Sequence, residues 1–277
     1  MIVADRLRPI DFDMFPSRGA DGRLSKTRQL IMGRSQQVTR LRELNREFGV
    51  ADSPITKKLF SFLQQLRKNN DREWFAEHKH EYEKFVRDPS VGLIEQLVKP
   101  LARSAPMLHV VPKSHNGSLM RIYRDTRFSK NKDPYKTNVG ISFRHQAGKD
   151  VHAPGVYLHL DPDECFLGAG CWRPESSVLA AIRSAIDADA KTWKRARDQK
   201  AFREHFEFVG ESLKKAPRDY SIEHPMIEDL KRKDFIAITP LTREEVLSND
   251  FAALIVSRVK QARPLMRFLC DAIDVPY

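Results

Sequence analysis

The sequence has few cysteines and no long run of apolar residues, and each of these absences excludes a class of protein. Its three cysteines, Cys165, Cys171 and Cys270, show no paired spacing, which argues against a disulfide framework or a structural zinc site and favours buried thiols. No stretch of about 18 apolar residues occurs, and the first residues carry charges where a secretory signal needs an apolar segment. We therefore expect a cytoplasmic protein without a membrane partner.

Signatures of metal and cofactor chemistry are also absent. His78 and His80 stand two residues apart on a predicted helix and face different ways, unlike the i and i+4 histidines of zinc proteases. Gly168 and Gly170 lack the glycine pattern of dinucleotide and P-loop sites, and no serine stands in a nucleophile-elbow context. No cluster of Asp and Glu indicates a two-metal nuclease. The sequence therefore predicts neither a metal nor a cofactor.

Positive charge is what the sequence has in excess. Lys and Arg together number 48 against 37 Asp and Glu, which gives a formal net charge of +11 at pH 7. A basic protein attracts phosphate-rich partners more readily than cationic ones. Charge alone does not identify a nucleic-acid-binding protein, because nonspecific attraction of this kind is common and is weakened by salt.

The chain is predicted to consist of a basic arm, residues 1–52, and one α+β domain, residues 53–277. The arm is rich in arginine and poor in apolar residues, although residues 36–48 could form one amphipathic helix. From Met107 the apolar period changes from helical to alternating, and it becomes helical again after the last glycine-rich strand. This order predicts a mostly antiparallel sheet of about five to six strands, flanked by N-terminal and C-terminal helices.

The element boundaries follow from prolines, caps and apolar periods. The first helix is predicted to start at Ser53-Pro54, and the second to stop at Asp88-Pro89. Pro100 should kink or end the third helix. Strands are predicted at 107–112, 119–124, 138–145, 155–161, 164–171 and 234–239, and later helices at 175–187, 190–206, 225–232 and 249–273.

The densest positive charge lies in residues 119–138, LMRIYRDTRFSKNKDPYKTN. Six cations occupy sixteen positions there, interleaved with three aromatic residues, and only Asp125 and Asp133 offset their charge. The six are Arg121, Arg124, Arg127, Lys130, Lys132 and Lys136. Such a density predicts the recognition of an anion.

The arrangement of these cations allows two interpretations. If residues 119–124 form a strand, either Arg121 or Arg124 faces the packed side and needs a carboxylate or a bound anion, with Asp125 the nearest candidate. One interpretation is an Arg–Asp network that pins a long loop against the sheet. The other is a pocket for phosphate or carboxylate, in which Asp125 holds the arginines in place. Its contacts would be Arg121, Arg124, Arg127 and Lys132, with the Tyr135 hydroxyl as an extra donor.

A polar strand face is predicted beside this segment. In GVYLHLD, the residues Tyr157, His159 and Asp161 alternate with apolar residues and so share one face. An imidazole with an unperturbed pKa of about 6.5 can act as a general acid or base, although a single strand histidine is more often structural. His159 and Asp161 are therefore the candidate catalytic residues.

The same cationic segment carries a resemblance to a known family. Its residues fit the pattern R-x-x-R-D-x-R-F-x-x-[DN]-K-x-x-Y at Arg121, Arg124, Asp125, Arg127, Phe128, Asn131, Lys132 and Tyr135. This pattern resembles the signature of a bacterial family catalogued as domain of unknown function 2461, also found within longer fungal proteins. Similar segments extend over about residues 55–240. The resemblance implies no activity, substrate or cofactor, so no catalytic residue is carried over from it.

Three functions are compatible with these observations. They are an enzyme acting on a phosphorylated small molecule, a nucleic-acid-binding module, and a non-catalytic protein whose motif is architecture. An enzyme requires the motif arginines to converge with His159 or Asp161 in one closed cleft. A nucleic-acid-binding module requires cations spread over a surface.

Overall fold

The computed structural model describes residues 53–127, 129–149 and 153–277. The predicted arm, residues 1–52, lies outside the described residues, as does Phe128 of the signature. The division of the chain at residue 53 therefore stays a prediction.

A six-stranded antiparallel sheet lies at the centre of the described structure. Its strands are β1 (Leu108–His109), β2 (Val139–His145), β3 (Gly155–Leu160), β4 (Cys165–Cys171), β5 (Glu207–Val209) and β6 (Phe235–Leu241). Their order across the sheet is β1-β2-β3-β4-β6-β5. The outer strands β1 and β5 have two and three residues, whereas each inner strand has six or seven. The predicted α+β class with an antiparallel sheet of five to six strands is confirmed.

Helices precede and follow the strands, as the order of apolar periods predicts. The N-terminal helices are α1 (Lys57–Lys68), α2 (Arg72–Glu77), α3 (Lys79–Tyr82) and α4 (Asp88–Ser104), with a π-helical turn at Glu83–Arg87. The later helices are α5 (Ser176–Ala188), α6 (Ala190–Asp198), α7 (Lys200–Arg203), α8 (Ile227–Leu230), α9 (Arg243–Val246) and α10 (Phe251–Ala272). The long helix α10 packs against α4, α5, α6 and β4 and so occupies the middle of the main core.

Alternation along the strands divides the sheet into two faces. Ile141, Leu158 and Leu167 are paired across β2, β3 and β4 and are fully buried in the main core. The opposite face carries a smaller cluster that includes Tyr157 and Phe166. The polar residues that alternate with the core residues of β3 therefore lie on the face away from the main core.

Residues 119–124 do not form the predicted strand. Leu119 makes an isolated bridge to β2, and the next bridge in the chain is made by Tyr123 within the following loop. Leu119 and Ile122 are both buried in the main core, and this spacing of three breaks the alternation that a strand requires. The segment is therefore a loop that forms one bridge with the sheet.

Two other strands differ from the prediction in length. The strand predicted over residues 107–112 is reduced to β1, because the backbone N–H of Val111 donates to the Ser118 hydroxyl at 3.0 Å instead of joining the ladder. Strand β5 has no counterpart in the prediction. Its three residues are too few to show an alternating period.

Two predicted helix boundaries near the N-terminus are wrong. The helix α1 begins at Lys57 after the N-cap Thr56, because residues 53–55 form a turn in which the N–H of Ile55 donates to the Ser53 hydroxyl at 3.3 Å. Asp88-Pro89 begins α4 instead of ending a helix. A proline in the first turn breaks no intrahelical hydrogen bond, so it starts a helix as readily as it stops one.

Pro100 lies inside α4 and does not end it, since the helix continues to Ser104. A proline removes one backbone hydrogen bond, but the turns on either side keep Leu97 and Leu101 buried against the core. The helix predicted over residues 190–206 is divided into α6 and α7, because Gln199 adopts an extended backbone conformation.

Candidate functional site

The cationic segment folds back on itself through backbone pairing. Tyr123 and Tyr135 form an antiparallel bridge. The N–H of Arg124 donates to the carbonyl of Pro134 at 2.9 Å, and the N–H of Lys136 donates to the carbonyl of Ile122 at 2.7 Å. We call residues 121–136 the basic hairpin. The predicted ligand-binding residues Arg121, Arg124, Asp125, Arg127, Lys132 and Tyr135 all belong to it.

Tyr135 anchors the basic hairpin to the N-terminal helices. Its ring stacks on Phe75 of α2 with centroids 4.1 Å apart, and the Tyr123 ring lies 5.4 Å away. The side chain of Asn70 donates to the Tyr135 carbonyl and accepts from the Tyr135 N–H, both at 3.0 Å. Burial raises the pKa of the Tyr135 phenol. This residue therefore has a structural role whatever its hydroxyl binds.

Asp125 and Arg127 form a bidentate ion pair at the surface of the basic hairpin. The Arg127 Nε and Nη2 atoms donate to the two carboxylate oxygens at 2.9 and 2.7 Å, and the Arg127 backbone N–H donates to the same group at 3.2 Å. These hydrogen bonds lower the pKa of the Asp125 carboxyl to about 2. The carboxylate therefore stays charged at neutral pH and fixes the plane of the exposed guanidinium.

The tip of the basic hairpin is closed by local hydrogen bonds. Lys132 Nζ donates to the carbonyl of Thr126 at 3.0 Å. The Asn131 side chain donates to the Asp133 carboxylate at 2.9 Å and accepts from the Asp133 N–H at 2.8 Å. The Lys132 side chain nevertheless stays exposed.

The sequence predicts that either Arg121 or Arg124 faces inward, and the structure gives these two arginines different surroundings. Arg121 is exposed, because Ile122 takes the position that faces the core. Among the described residues Arg121 forms no hydrogen bond or ion pair, although its charge contributes to lowering the pKa of Asp125. Arg124 is half-buried beside the backbone pairing of the hairpin. Arg124 is therefore the arginine that is partly buried, whereas Arg121 faces solvent.

His159 belongs to a separate polar group on β3. Its Nδ1 atom lies 3.2 Å from the Tyr157 hydroxyl and 3.3 Å from the Asn138 side-chain nitrogen, and its ring stacks on Phe166 at 4.7 Å. Since an amide nitrogen can only donate, Nδ1 is an acceptor and the neutral ring carries its proton on Nε2. Burial lowers the pKa of His159 to about 4, and the Asp161 carboxylate opposes part of this effect.

We expect His159 to stay neutral at pH 6 and to titrate near pH 4, which the NMR chemical shift of its ring Cε1–H can follow. The unfolded chain binds a proton at about pH 6.5, so the free energy of unfolding should fall as the pH drops from about 6.5 towards 4. His159→Gln should weaken this fall without removing it, because burial also lowers the pKa of His205 to about 4. A titration midpoint near 6.5 would show that the ring is not desolvated.

Asp161 is bonded to a different partner. Its carboxylate accepts two hydrogen bonds from Arg67 at 3.0 Å, and Arg67 also donates to Asp163 at 2.6 Å. This pairing ties the β3–β4 turn to the end of α1. Among the described residues no hydrogen bond or ion pair joins the basic hairpin to His159 or Asp161. The structure thus places the predicted binding residues in one loop and the candidate catalytic residues in two other groups.

Sequence reasoning missed two residues that shape these groups. Asn70 positions Tyr135, and Asn138 contacts His159. Asn70 lies between α1 and α2, and its partner Tyr135 lies 65 positions away, so no local pattern indicates the contact. Asn138 is the last residue of the cationic segment 119–138 and directly precedes β2, and this position is the signal in the sequence that could have indicated it.

The described residues also bear on metals, thiols and membranes. Nowhere in this part of the chain do three or more His, Cys, Asp or Glu side chains gather as they would to hold a metal ion. The three cysteines are buried, as predicted. Within the same residues, no helix combines the length and the apolar character needed to cross a membrane.

Together these features define an α+β protein in which a cationic hairpin is anchored to helices beside an antiparallel sheet. The model of the conserved hypothetical protein family DUF2461 matches residues 58–268, which is more than half of the chain. The chain therefore belongs to this family, as the signature predicts. No curated protein matches the chain. No solved structure matches it either.

Proposed function

We propose that the basic hairpin binds a ligand that carries phosphate or carboxylate groups, on an open surface of the protein. The observation that carries this proposal is the excess of cations, since the hairpin has six against two carboxylates. Arg121, Arg127 and Lys132 are all exposed, so an anion can reach them directly. Exposed guanidinium groups bind two oxygens at once, which suits phosphate and carboxylate.

Each residue of the proposed site has a distinct role. Asp125 orients Arg127, Lys132 supplies a point charge at the tip, and Arg121 supplies a guanidinium group without another described partner. Arg124 adds positive charge at the base of the site. Tyr135 is the proposed orienting donor, because stacking on Phe75 fixes the direction of its hydroxyl.

The geometry supports binding more than catalysis. An enzyme requires the motif arginines and a catalytic residue in one cleft. His159 and Asp161 are instead bonded to groups outside the basic hairpin. Four of the six cations are exposed, which suits an open surface better than a closed cleft, whereas Arg124 is half-buried and Lys136 is buried. A ligand bound there would remain accessible to a partner or to water.

Calorimetric titration with pyrophosphate and with citrate tests this proposal. We expect saturable binding, and we expect the double variant Arg121→Gln, Lys132→Gln to bind roughly tenfold more weakly, since each of the two exposed charged contacts contributes up to about 1 kcal/mol. The control is the double variant Lys191→Gln, Arg195→Gln, which removes two exposed charges from α6 and should change affinity less than about twofold.

Two outcomes would overturn the proposal. If both double variants lose the same affinity, then net charge and not the hairpin attracts the anion. If neither anion binds the wild-type protein, the hairpin is architecture, and its Asp125–Arg127 pair serves only to close the loop.

A second function, single-stranded nucleic-acid binding, is favoured by one observation. The ring of Tyr123 is 52% exposed and lies in sequence between Arg121 and Arg124. A base can stack on such a ring while neighbouring cations bind the backbone, and a stacked base is worth about 1–3 kcal/mol. Tyr123→Ala should therefore weaken the binding of a 12-nucleotide single strand without affecting pyrophosphate. Equal affinity of wild type and variant for the oligonucleotide would rule this function out.

A further inference from the structure

A second cationic site lies near the far edge of the sheet. A hollow of about 490 Å³ opens to solvent beside β5. It is lined by Arg197, Asp198, Phe202, Arg203, Phe206, Phe208 and Arg232. Three strands separate β5 from β2, so at about 4.8 Å per strand the two lie roughly 19 Å apart. The hollow is therefore distinct from the basic hairpin, which adjoins β2.

One wall of the hollow is aromatic. The rings of Phe202 and Phe206 stack with centroids 5.1 Å apart and an interplanar angle of 3°, and Phe208 lies 5.8 Å from Phe202. Phe202 and Phe206 are buried, and Trp193 supports Phe208 from behind at 5.9 Å. This packing fixes Phe208, which is half-buried and is therefore the ring of this wall that a ligand can reach.

The other wall carries charge that is only partly neutralised. Asp229 is buried and accepts hydrogen bonds from both Arg197 and Arg232. Arg197 also donates to Asp198 at 2.9 and 2.8 Å, so all three of its guanidinium nitrogens are engaged. The group contains three arginines and two aspartates once Arg203 is included. It therefore keeps one positive charge for a ligand to neutralise.

Two of these arginines retain donors that can bind an anion. Arg232 uses its Nε atom for Asp229 at 3.4 Å, and its terminal nitrogens make no hydrogen bond to another described residue. Its guanidinium group lies over the Phe208 ring at 4.6 Å, which orients it. Arg203 is exposed and forms no hydrogen bond or ion pair within the described part of the chain. The pKa of Asp198 is lowered mainly by Arg197 and in part by Arg203, which places both cations near it.

We propose that this hollow binds a small aromatic compound that carries a phosphate or carboxylate group. The ring packs against the accessible part of Phe208, and the anionic group accepts hydrogen bonds from Arg203 and Arg232. Neither half of such a ligand is sufficient alone, because an open surface contact with a single phosphate or a single ring gains little free energy. This site is independent of the function proposed for the basic hairpin.

Calorimetric titration of the full chain with phenyl phosphate tests the inference, with inorganic phosphate and phenol as the two half-ligands. We expect saturable binding of phenyl phosphate that is at least roughly tenfold tighter than that of either half. Arg203→Gln should weaken it roughly tenfold. The matched control is Arg195→Gln, an exposed arginine on α6 outside the hollow, which should leave the affinity within about twofold.

Two further variants locate the bound ligand. Phe208→Leu should weaken phenyl phosphate binding and leave inorganic phosphate unchanged, because only the ring contacts Phe208. Arg203→Gln should weaken phenyl phosphate binding by the same factor in the Arg121→Gln, Lys132→Gln background, in which the basic hairpin has lost two of its proposed contacts. The inference is overturned if phenyl phosphate shows no saturable binding, if Arg195→Gln is as harmful as Arg203→Gln, or if the Arg121→Gln, Lys132→Gln background abolishes binding.

Discussion

Replacing Gly170 by alanine is expected to lower the free energy of unfolding by about 3 kcal/mol or more. Gly170 in β4 has a φ of +128°, which side-chain-bearing residues rarely adopt. An added Cβ would lie 2.1 Å from the carbonyl oxygen of Phe235 on the neighbouring strand β6. That oxygen cannot move away without separating two central strands of the sheet. Urea denaturation followed by far-UV circular dichroism measures the loss.

Gly168→Ala provides a control on the same strand. A Cβ added there would lie 3.4 Å from the Cδ1 atom of Ile236, at the flexible end of a side chain, and the backbone has no positive φ. We expect a change below about 1 kcal/mol. If the two alanine variants unfold at the same urea concentration, the close approach of β4 and β6 at Gly170 does not constrain the fold.

Removing the ring of Tyr135 is expected to have an effect of similar size. Tyr135→Ala should lower the free energy of unfolding by about 3–5 kcal/mol, the usual range for large aromatic residues truncated in a core. The ring is buried, stacks on Phe75 and contacts Tyr123, so its loss would leave a cavity under the basic hairpin. Thermal unfolding at fixed pH gives the measurement.

Tyr135→Phe separates the anchoring role of this residue from its proposed ligand contact. The phenylalanine ring keeps the stacking on Phe75, so we expect stability within about 0.5 kcal/mol of the wild type. Loss of a hydroxyl donor should weaken pyrophosphate binding roughly three- to tenfold. Unchanged affinity in a stable Tyr135→Phe protein would assign the tyrosine of the signature to architecture alone.

The strands β2 and β3 could be predicted because their large apolar residues stand at every second position. In β3, for example, Val156, Leu158 and Leu160 are buried and face the core, as the alternation requires. The segment 119–124 shows a similar pattern in the sequence, but Ile122 is drawn into the core at a spacing of three from Leu119. Tertiary burial thus overrode a local period, and no local signal distinguishes this case from a strand.

The candidate site could be predicted only to the extent that its contacts are local. The Asp125–Arg127 pair and the Lys132 contact with Thr126 join residues two and six positions apart, so a dense segment implies them. The pairing of Arg67 with Asp161 joins residues 94 positions apart. Spacing within a motif carries no information about such contacts, so it cannot show whether His159 lies near the arginines, as an enzyme would require.

The very short outer strands of the sheet affect how copies of this protein can associate. An incoming extended chain gains backbone hydrogen bonds in proportion to the length of edge that it meets, and β1 and β5 offer two and three residues. The sheet is therefore protected against domain swapping and fibril-like stacking through its edges. Any stable self-association should use side-chain surfaces, so it should respond to surface charge substitutions more than to proline insertions in β1 or β5.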